Sequence, residues 1–212
     1  MMGMLESDWR STFESRSDRY REDPANLYSK RYFRSKQGKR KKQNQAGKRL
    51  SEVLKVRSLI DFGCGLGFFL EGALQGEADW VLGIDAGYDR LIQYVPENIQ
   101  RFIRKGHLGR KIDEGKWDCV LCLETAEHLL PAEEEMCIDN IVNASSRLIV
   151  FRAALSFNFR HLNPGKPKEY WVELFLKRGC KELYDEEKRL AKAWRGLLMG
   201  FIRRNVIVMK VT

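Results

Sequence analysis

The stretch Ser58-Leu59-Ile60-Asp61-Phe62-Gly63-Cys64-Gly65-Leu66-Gly67-Phe68-Phe69-Leu70 constrains this chain more than any other. Its apolar opening reads as a buried strand. The apolar-periodic run from Phe68 to Leu74 reads as a helix. Between them lies a turn with glycine at every second position, closed in front by Asp61. Strand, glycine turn and helix N-terminus form the nucleotide-binding corner of an open α/β sheet. Glycine permits positive φ and carries no Cβ, so the backbone can lie against a ligand.

The chain around this corner alternates. Strands are expected at Leu59–Phe62, Trp80–Ile84 ending in Asp85, Arg101–Lys105, Trp117–Leu123, Arg147–Phe151 and, last, Asn205–Val211. Helices are expected at Leu66–Gln75, in a piece over Leu91–Val95, at Pro131–Ala144 and at Glu169–Arg178 with Gly179 as its stop. Pro131 suits a first helical turn, and Glu133, Glu134 and Glu135 suit its positive dipole end. This order predicts a doubly wound, Rossmann-like α/β sheet, mostly parallel, with an antiparallel C-terminal edge strand. Residues 51–212 form that domain, and residues 1–50 form a basic, largely helical extension.

Charge separates the two parts. Of 212 residues, the first 50 hold 14 Lys/Arg against 6 Asp/Glu, and the rest hold 24 against 23. Lys30, Arg31, Arg34, Lys36, Lys39, Arg40, Lys41, Lys42, Lys48 and Arg49 concentrate the charge, with Tyr28, Tyr32 and Phe33 in front. This run reads as a solvated helix face that packs Tyr32, Phe33 and Leu50 on the core. The same residues over 30–49 could grip RNA, with basic groups on the backbone and aromatics on the bases. The five cysteines are odd in number and no secretory signal is read, so reduced thiols in a cytoplasmic protein are expected. Cys119 and Cys122 have CxxC spacing but fall in a strand, where residues three apart face opposite sides. Core packing is their expected role. No apolar run has the length of a membrane span, so no membrane partner is expected. No obligate protein partner is inferred.

The turn departs from the dinucleotide pattern G-x-G-x-x-G, because Phe68 stands at its last position. That disfavours a dehydrogenase, and no P-loop is present. The pattern that stands is D-x-G-x-G-x-G, with Asp85 about 20 residues beyond the glycines, where a carboxylate can accept both hydroxyls of a ribose. Together with Trp117-Asp118-Cys119-Val120-Leu121-Cys122-Leu123-Glu124, these pieces resemble, in order and spacing, the class I S-adenosylmethionine-dependent methyltransferases. The resemblance covers residues 50–212. It implies that Asp61 holds the cofactor's ammonium through water and that Gly63, Cys64, Gly65 and Gly67 approach its methionine and ribose. Asp85 and its neighbour Ala86 would hold the ribose, and Leu123 would line the methionine end. Where the family has an acidic residue near adenine, this chain has Gly106-His107-Leu108, leaving His107 to stack or donate.

Glu124-Thr125-Ala126-Glu127-His128 follows the fourth strand. On a helix, Glu124, Glu127 and His128 would share one face. Two carboxylates and an imidazole suit a divalent metal with open positions, and His161, in the loop after strand five, could be a fourth ligand. The motif resembles two metal-dependent subgroups, the small-RNA 3′-end 2′-O-methyltransferases and the ubiquinone-pathway O-methyltransferases. His161-Leu162-Asn163, then Tyr170-Trp171, then Asn205 near the closing strand, is similar to a loosely defined bacterial and phage group. The expected reaction is O-methylation of a small molecule or sugar with adjacent hydroxyls, assisted by Mg, Mn, Fe or Zn. A small-RNA 3′ end is an alternative acceptor, and a non-catalytic binding module is an alternative role. Glu124, His128 and His161 are the expected catalytic residues. Without a metal, His128 or His161 becomes the candidate general base.

Overall fold

The structure is a computed structural model that describes residues 14–20, 23, 26, 29–155, 161–163, 165–198, 200, 202 and 205–212. Tyr28, named above, lies outside the described residues, as do 156–160 ahead of His161. Residues 14–20 are helical. The chain then forms α1 (Lys30–Gln37), α2 (Arg40–Leu54), β1 (Ser58–Phe62), α3 (Phe68–Gln75), β2 (Trp80–Asp85), α4 (Tyr88–Leu91), α5 (Glu97–Gln100) and β3 (Ile103–Lys105). There follow β4 (Trp117–Leu123), α6 (Glu134–Ala144), β5 (Ser145–Arg152), α7 (Lys168–Leu176), β6 (Lys181–Glu182), α8 (Tyr184–Ala193) and β7 (Ile207–Lys210).

The seven strands form one sheet in the order β3-β2-β1-β4-β5-β7-β6. Strands β1 to β5 pair in parallel, and β7 pairs antiparallel with both β5 and β6. The order runs outward in both directions from β1 and β4, so the carboxyl ends of these two strands flank the topological switch point. The expected antiparallel strand is β7, and a two-residue β6 lies outside it.

Strand alternation divides the core between the two faces. Ile60, Phe62, Val120, Cys122, Ile149 and Phe151 pack on one face beneath α6 and α7. Leu59, Cys119, Leu121, Leu148, Val150 and Val208 pack on the other, beneath α2, α3 and α8. Cys119 and Cys122 are fully buried on opposite faces, as period-two geometry requires.

The basic segment is built into the second layer. Helix α2 is continuous through residue 50 and buries Ala46, Leu50 and Leu54. It crosses α3 at backbone contact: a Cβ on Gly47 would lie 2.1 Å from the Phe69 carbonyl, and one on Gly72 would lie 1.8 Å from the Asn44 carbonyl. The indole N–H of Trp194 donates to the Ala46 carbonyl at 2.9 Å. These contacts hold α2, and with it α1, beside the carboxyl end of β1. Among the described residues no helix is long and apolar enough to cross a membrane.

Candidate active site

The glycine turn joins β1 to α3, and all three of its glycines have positive φ. Two of them show why glycine is required. A Cβ on Gly63 would strike the Thr125 hydroxyl at 2.2 Å, so the turn can close on the loop after β4 only without a side chain. A Cβ on Gly65 would meet nothing within 4 Å, because Gly65 faces open space in a cleft. That space is where a ligand can touch backbone. Gly67 stands behind the turn as the residue preceding α3, against Ile99 and Ile103, and does not line the cleft.

The cleft has two lobes that share Tyr32, Phe33, Gly63, Gly65, Glu124 and His128. The smaller, about 110 Å³, is lined by Asp85, Ala86, His107, Leu108 and Tyr20. The larger, about 570 Å³, is lined by Asp61, Cys64, Leu123, Glu127 and His161 among others.

Asp85 ends β2 and accepts the Gly65 N–H at 2.9 Å and the Gly87 N–H at 2.7 Å. Burial raises its pKa, and these two donors oppose the rise. Asp61 is 4 % exposed and has no hydrogen-bond or ion-pair partner among the described residues. Burial, and then the Asp85 charge, push its pKa up to about 8. A buried carboxyl without a donor beside an open cavity fits a cationic ligand.

His107 follows β3. Its Nδ1 accepts the Gly109 N–H at 3.0 Å, so Nε2 carries the proton and donates to the Tyr20 hydroxyl at 2.6 Å. Tyr20 in turn donates to Glu133 at 2.8 Å. Burial lowers the His107 pKa, partly opposed by Glu133, so the ring is neutral at pH 7. Sequence reasoning did not place Tyr20 and Glu133 here. Tyr20 lies 113 positions before Glu133, and no local spacing signals that pairing.

The loop after β4 differs from the expected helix. Glu124 has φ 58, in the left-handed region, and only Ala126–His128 forms a helical turn, of the 3-10 type. Glu124 therefore does not share a face with Glu127 and His128. Its carboxylate pairs with the Arg152 guanidinium, which is 2 % exposed at the end of β5. Glu127, His128 and His161 come together instead, with ligand atoms all within 4.8 Å of one another. Two donors on one ion at about 2.1 Å lie at most about 4.2 Å apart, so the set closes with shifts below about 1 Å.

The cluster is braced from behind. The Glu127 carbonyl accepts the Leu162 and Asn163 N–H groups at 2.9 and 3.1 Å, which fixes the His161 loop against the 3-10 turn. The Asn163 amide and the Tyr170 hydroxyl both donate to Glu134 at the start of α6. The H-x-N and Tyr-Trp elements thus serve one buried network. Glu127 is 1 % exposed, and its Oε2 has no hydrogen-bond partner among the described residues. Burial pushes its pKa up to about 7. A buried carboxylate oxygen without a donor, beside two imidazoles, fits a divalent cation.

These shifts set a pH dependence of stability. Asp61 and Glu127 bind protons more tightly folded than unfolded, where carboxyls titrate near 4. The stability these two groups contribute to the ligand-free protein is fully present below that value and is lost as pH rises towards about 8 for Asp61 and about 7 for Glu127. Urea unfolding between pH 5 and 8.5 should show the decline, and Asp61→Asn should flatten it. A slope identical in wild type and variant would refute the assignment.

No family model matches the chain, and no curated protein matches it. Solved structures do match in fold. One is CalS10, an amino pentose methyltransferase from Micromonospora echinaspora involved in calicheamicin biosynthesis, solved with S-adenosylmethionine bound. It is 15 % identical with a TM-score of 0.59, over 87 % of this chain and 98 % of that one. Another is a TehB-like S-adenosylmethionine-dependent methyltransferase from Corynebacterium glutamicum. It is 21 % identical with a TM-score of 0.52, over 79 % of this chain and 87 % of that one. The chain has the fold of the S-adenosylmethionine-dependent methyltransferases.

Proposed function

We propose that the protein is an S-adenosylmethionine-dependent methyltransferase that methylates a hydroxyl on a small molecule or sugar with adjacent oxygens, assisted by a divalent metal. The observation that carries this reading is a shared cavity. Asp61 and the glycine turn, which suit the methionine end of the cofactor, line the same lobe as Glu127, His128 and His161. The cofactor supplies an activated methyl group, and the metal lowers the pKa of a bound hydroxyl. The chain's own residues position both reactants. Asp85 takes the ribose hydroxyls and Asp61 takes the ammonium. Neutral His107 borders the adenine end, held by Tyr20. Glu127, His128 and His161 would hold the metal, which would act there as a Lewis acid on the acceptor oxygens. In a metal-free site, His128 or His161 would accept the hydroxyl proton.

An RNA 3′ end is the competing acceptor, favoured by Lys30, Arg31, Arg34 and Lys41, which stand exposed on α1 and α2. RNA affinity held by several such charges falls steeply with salt, whereas that of an enclosed small acceptor does not. The five cysteines are unpaired, which supports a reducing compartment such as the cytoplasm.

Transfer of labelled methyl groups from S-adenosylmethionine to catechols, sugars and RNA, with and without chelator, tests the reading. The expected result is transfer that a chelator stops and Mg, Mn, Fe or Zn restores. Chelator-insensitive transfer removes the metal from the mechanism. Cofactor binding with no transfer to any pool leaves a binding module.

A further inference from the structure

The larger lobe has a second wall that the proposed chemistry does not use. Lys36, in the last turn of α1, Lys39, at the junction before α2, and Lys42, in the first turn of α2, all line it. They line the same cavity as Glu127, His128 and His161, and the Lys36 charge is near enough to Glu127 to oppose the rise of its pKa. Three other basic residues of the segment are neutralised: Arg40 by Glu71, with its Nε 2.9 Å from Oε2, and Lys48 and Arg49 by Glu52. Lys39 and Lys42 have no carboxylate partner among the described residues. The arrangement is unfavourable for the protein alone. Like charges three residues apart repel, and the first turn of α2 holds Arg40, Lys41 and Lys42 with no acid, against the positive end of its dipole. Burial and the Lys36 charge lower the Lys39 pKa, which shows the same mutual strain.

We propose that Lys36, Lys39 and Lys42 form an anion site, and that the methyl acceptor is a small molecule bearing a carboxylate or phosphate as well as its hydroxyls. The inference rests on the methyltransferase reading of the cleft. The cavity of about 570 Å³ lies within the range of roughly 300–1,000 Å³ usual for small-molecule sites. Phe68, Phe69, Leu197 and Leu198 also line it, so it suits an apolar ring or chain between the anionic group and the hydroxyls. The acceptor would span the lobe, with its anion on the lysine wall and its oxygens at the histidines. Such anchoring fixes one hydroxyl relative to the cofactor and rejects neutral analogues.

Binding to the full-length protein, loaded with S-adenosylhomocysteine, tests this by calorimetry. The probes are 3,4-dihydroxybenzoate against its neutral amide, and ribose 5-phosphate against ribose. At least one anionic member should bind ten-fold or more tightly than its neutral partner, and which pair discriminates tells carboxylate from phosphate. Lys39→Ala/Lys42→Ala should abolish that preference while keeping S-adenosylhomocysteine affinity within two-fold. Lys36 is left in place because its ammonium also lies 4.7 Å from the Tyr32 ring centre. Equal binding of charged and neutral probes, or a preference that survives the double variant, overturns the anion site. Tight binding of a single-stranded RNA with neither pair discriminated overturns the small acceptor. Failure to bind S-adenosylhomocysteine instead overturns the methyltransferase reading, and inorganic pyrophosphate then tests the lysine wall alone, with ten-fold weaker binding by the double variant expected.

Discussion

Replacing His161 with alanine should abolish tight binding of a divalent metal and lower kcat for methyl transfer by at least about a thousandfold, or ~4 kcal/mol. Affinity for S-adenosylmethionine should stay within about three-fold. The size follows from the donor set. Glu127, His128 and His161 are the only cluster of three or more metal-type donors found among the described residues, so loss of one leaves too few to hold an ion. A metal contributes several kcal/mol by stabilising charge that develops on the attacking oxygen. Glu127→Gln separates this role from a structural one. It preserves the side-chain shape, removes the charge the metal needs, and relieves a buried carboxyl whose pKa stands at about 7. The variant should therefore lose metal yet unfold at a higher urea concentration than wild type at pH 8. A protein that keeps full metal content, or that loses stability and metal together, would contradict this account. Metal analysis and urea titration of the same sample decide it.

Legibility in the sequence tracked how local each interaction is. Strand β4 spans Trp117–Leu123 as expected, because a dense apolar run bounded by polar residues carries its own signal. Asp85 was legible by its distance from the glycines. His128 and His161 were legible because the chain has only three histidines. What failed depended on partners far along the chain. Glu124 was expected on a helix with Glu127. It leaves that helix and pairs with Arg152, which in the sequence only interrupts an apolar run. Helix α8 was not foreseen, since Tyr184–Ala193 buries only Glu187 and Leu190. Its anchor is tertiary: Glu187 accepts the Val208 N–H at 3.1 Å and pairs with Lys168 at 2.7 Å. The three acids at 133–135 read as a generic dipole cluster. Each has its own partner, with Glu133 accepting from Tyr20, Glu134 from Asn163 and Tyr170, and Glu135 from Arg178. The lysine wall was visible as charge, but only the fold shows which charges point into the cavity.

Asp85→Ala should weaken S-adenosylmethionine binding by about a hundredfold or more, ~2.7 kcal/mol, measured by calorimetry on protein that still melts cooperatively. Two losses combine. One is the ribose acceptor of the proposed complex. The other is internal to the protein: the Asp85 carboxylate is the common acceptor of the Gly65 and Gly87 N–H groups. Without it the glycine turn and the loop after β2 lose their shared tie, and both walls of the smaller lobe are less well placed before the cofactor arrives. Asp85→Asn isolates the second loss. One oxygen remains to accept, but an amide N–H₂ now faces a backbone N–H, so one of the two hydrogen bonds is replaced by a clash of donors. An intermediate loss of roughly ten-fold is expected. The charge removed also matters to its neighbour. Asp61 holds its proton up to about pH 8 partly because Asp85 is ionised nearby. In Asp85→Asn, Asp61 should ionise at lower pH, so the pH at which cofactor affinity reaches its plateau should move down even as the affinity itself falls. A purely structural role for Asp85 predicts weaker binding with that pH unchanged. Binding curves for wild type and Asp85→Asn between pH 6 and 9 distinguish the two.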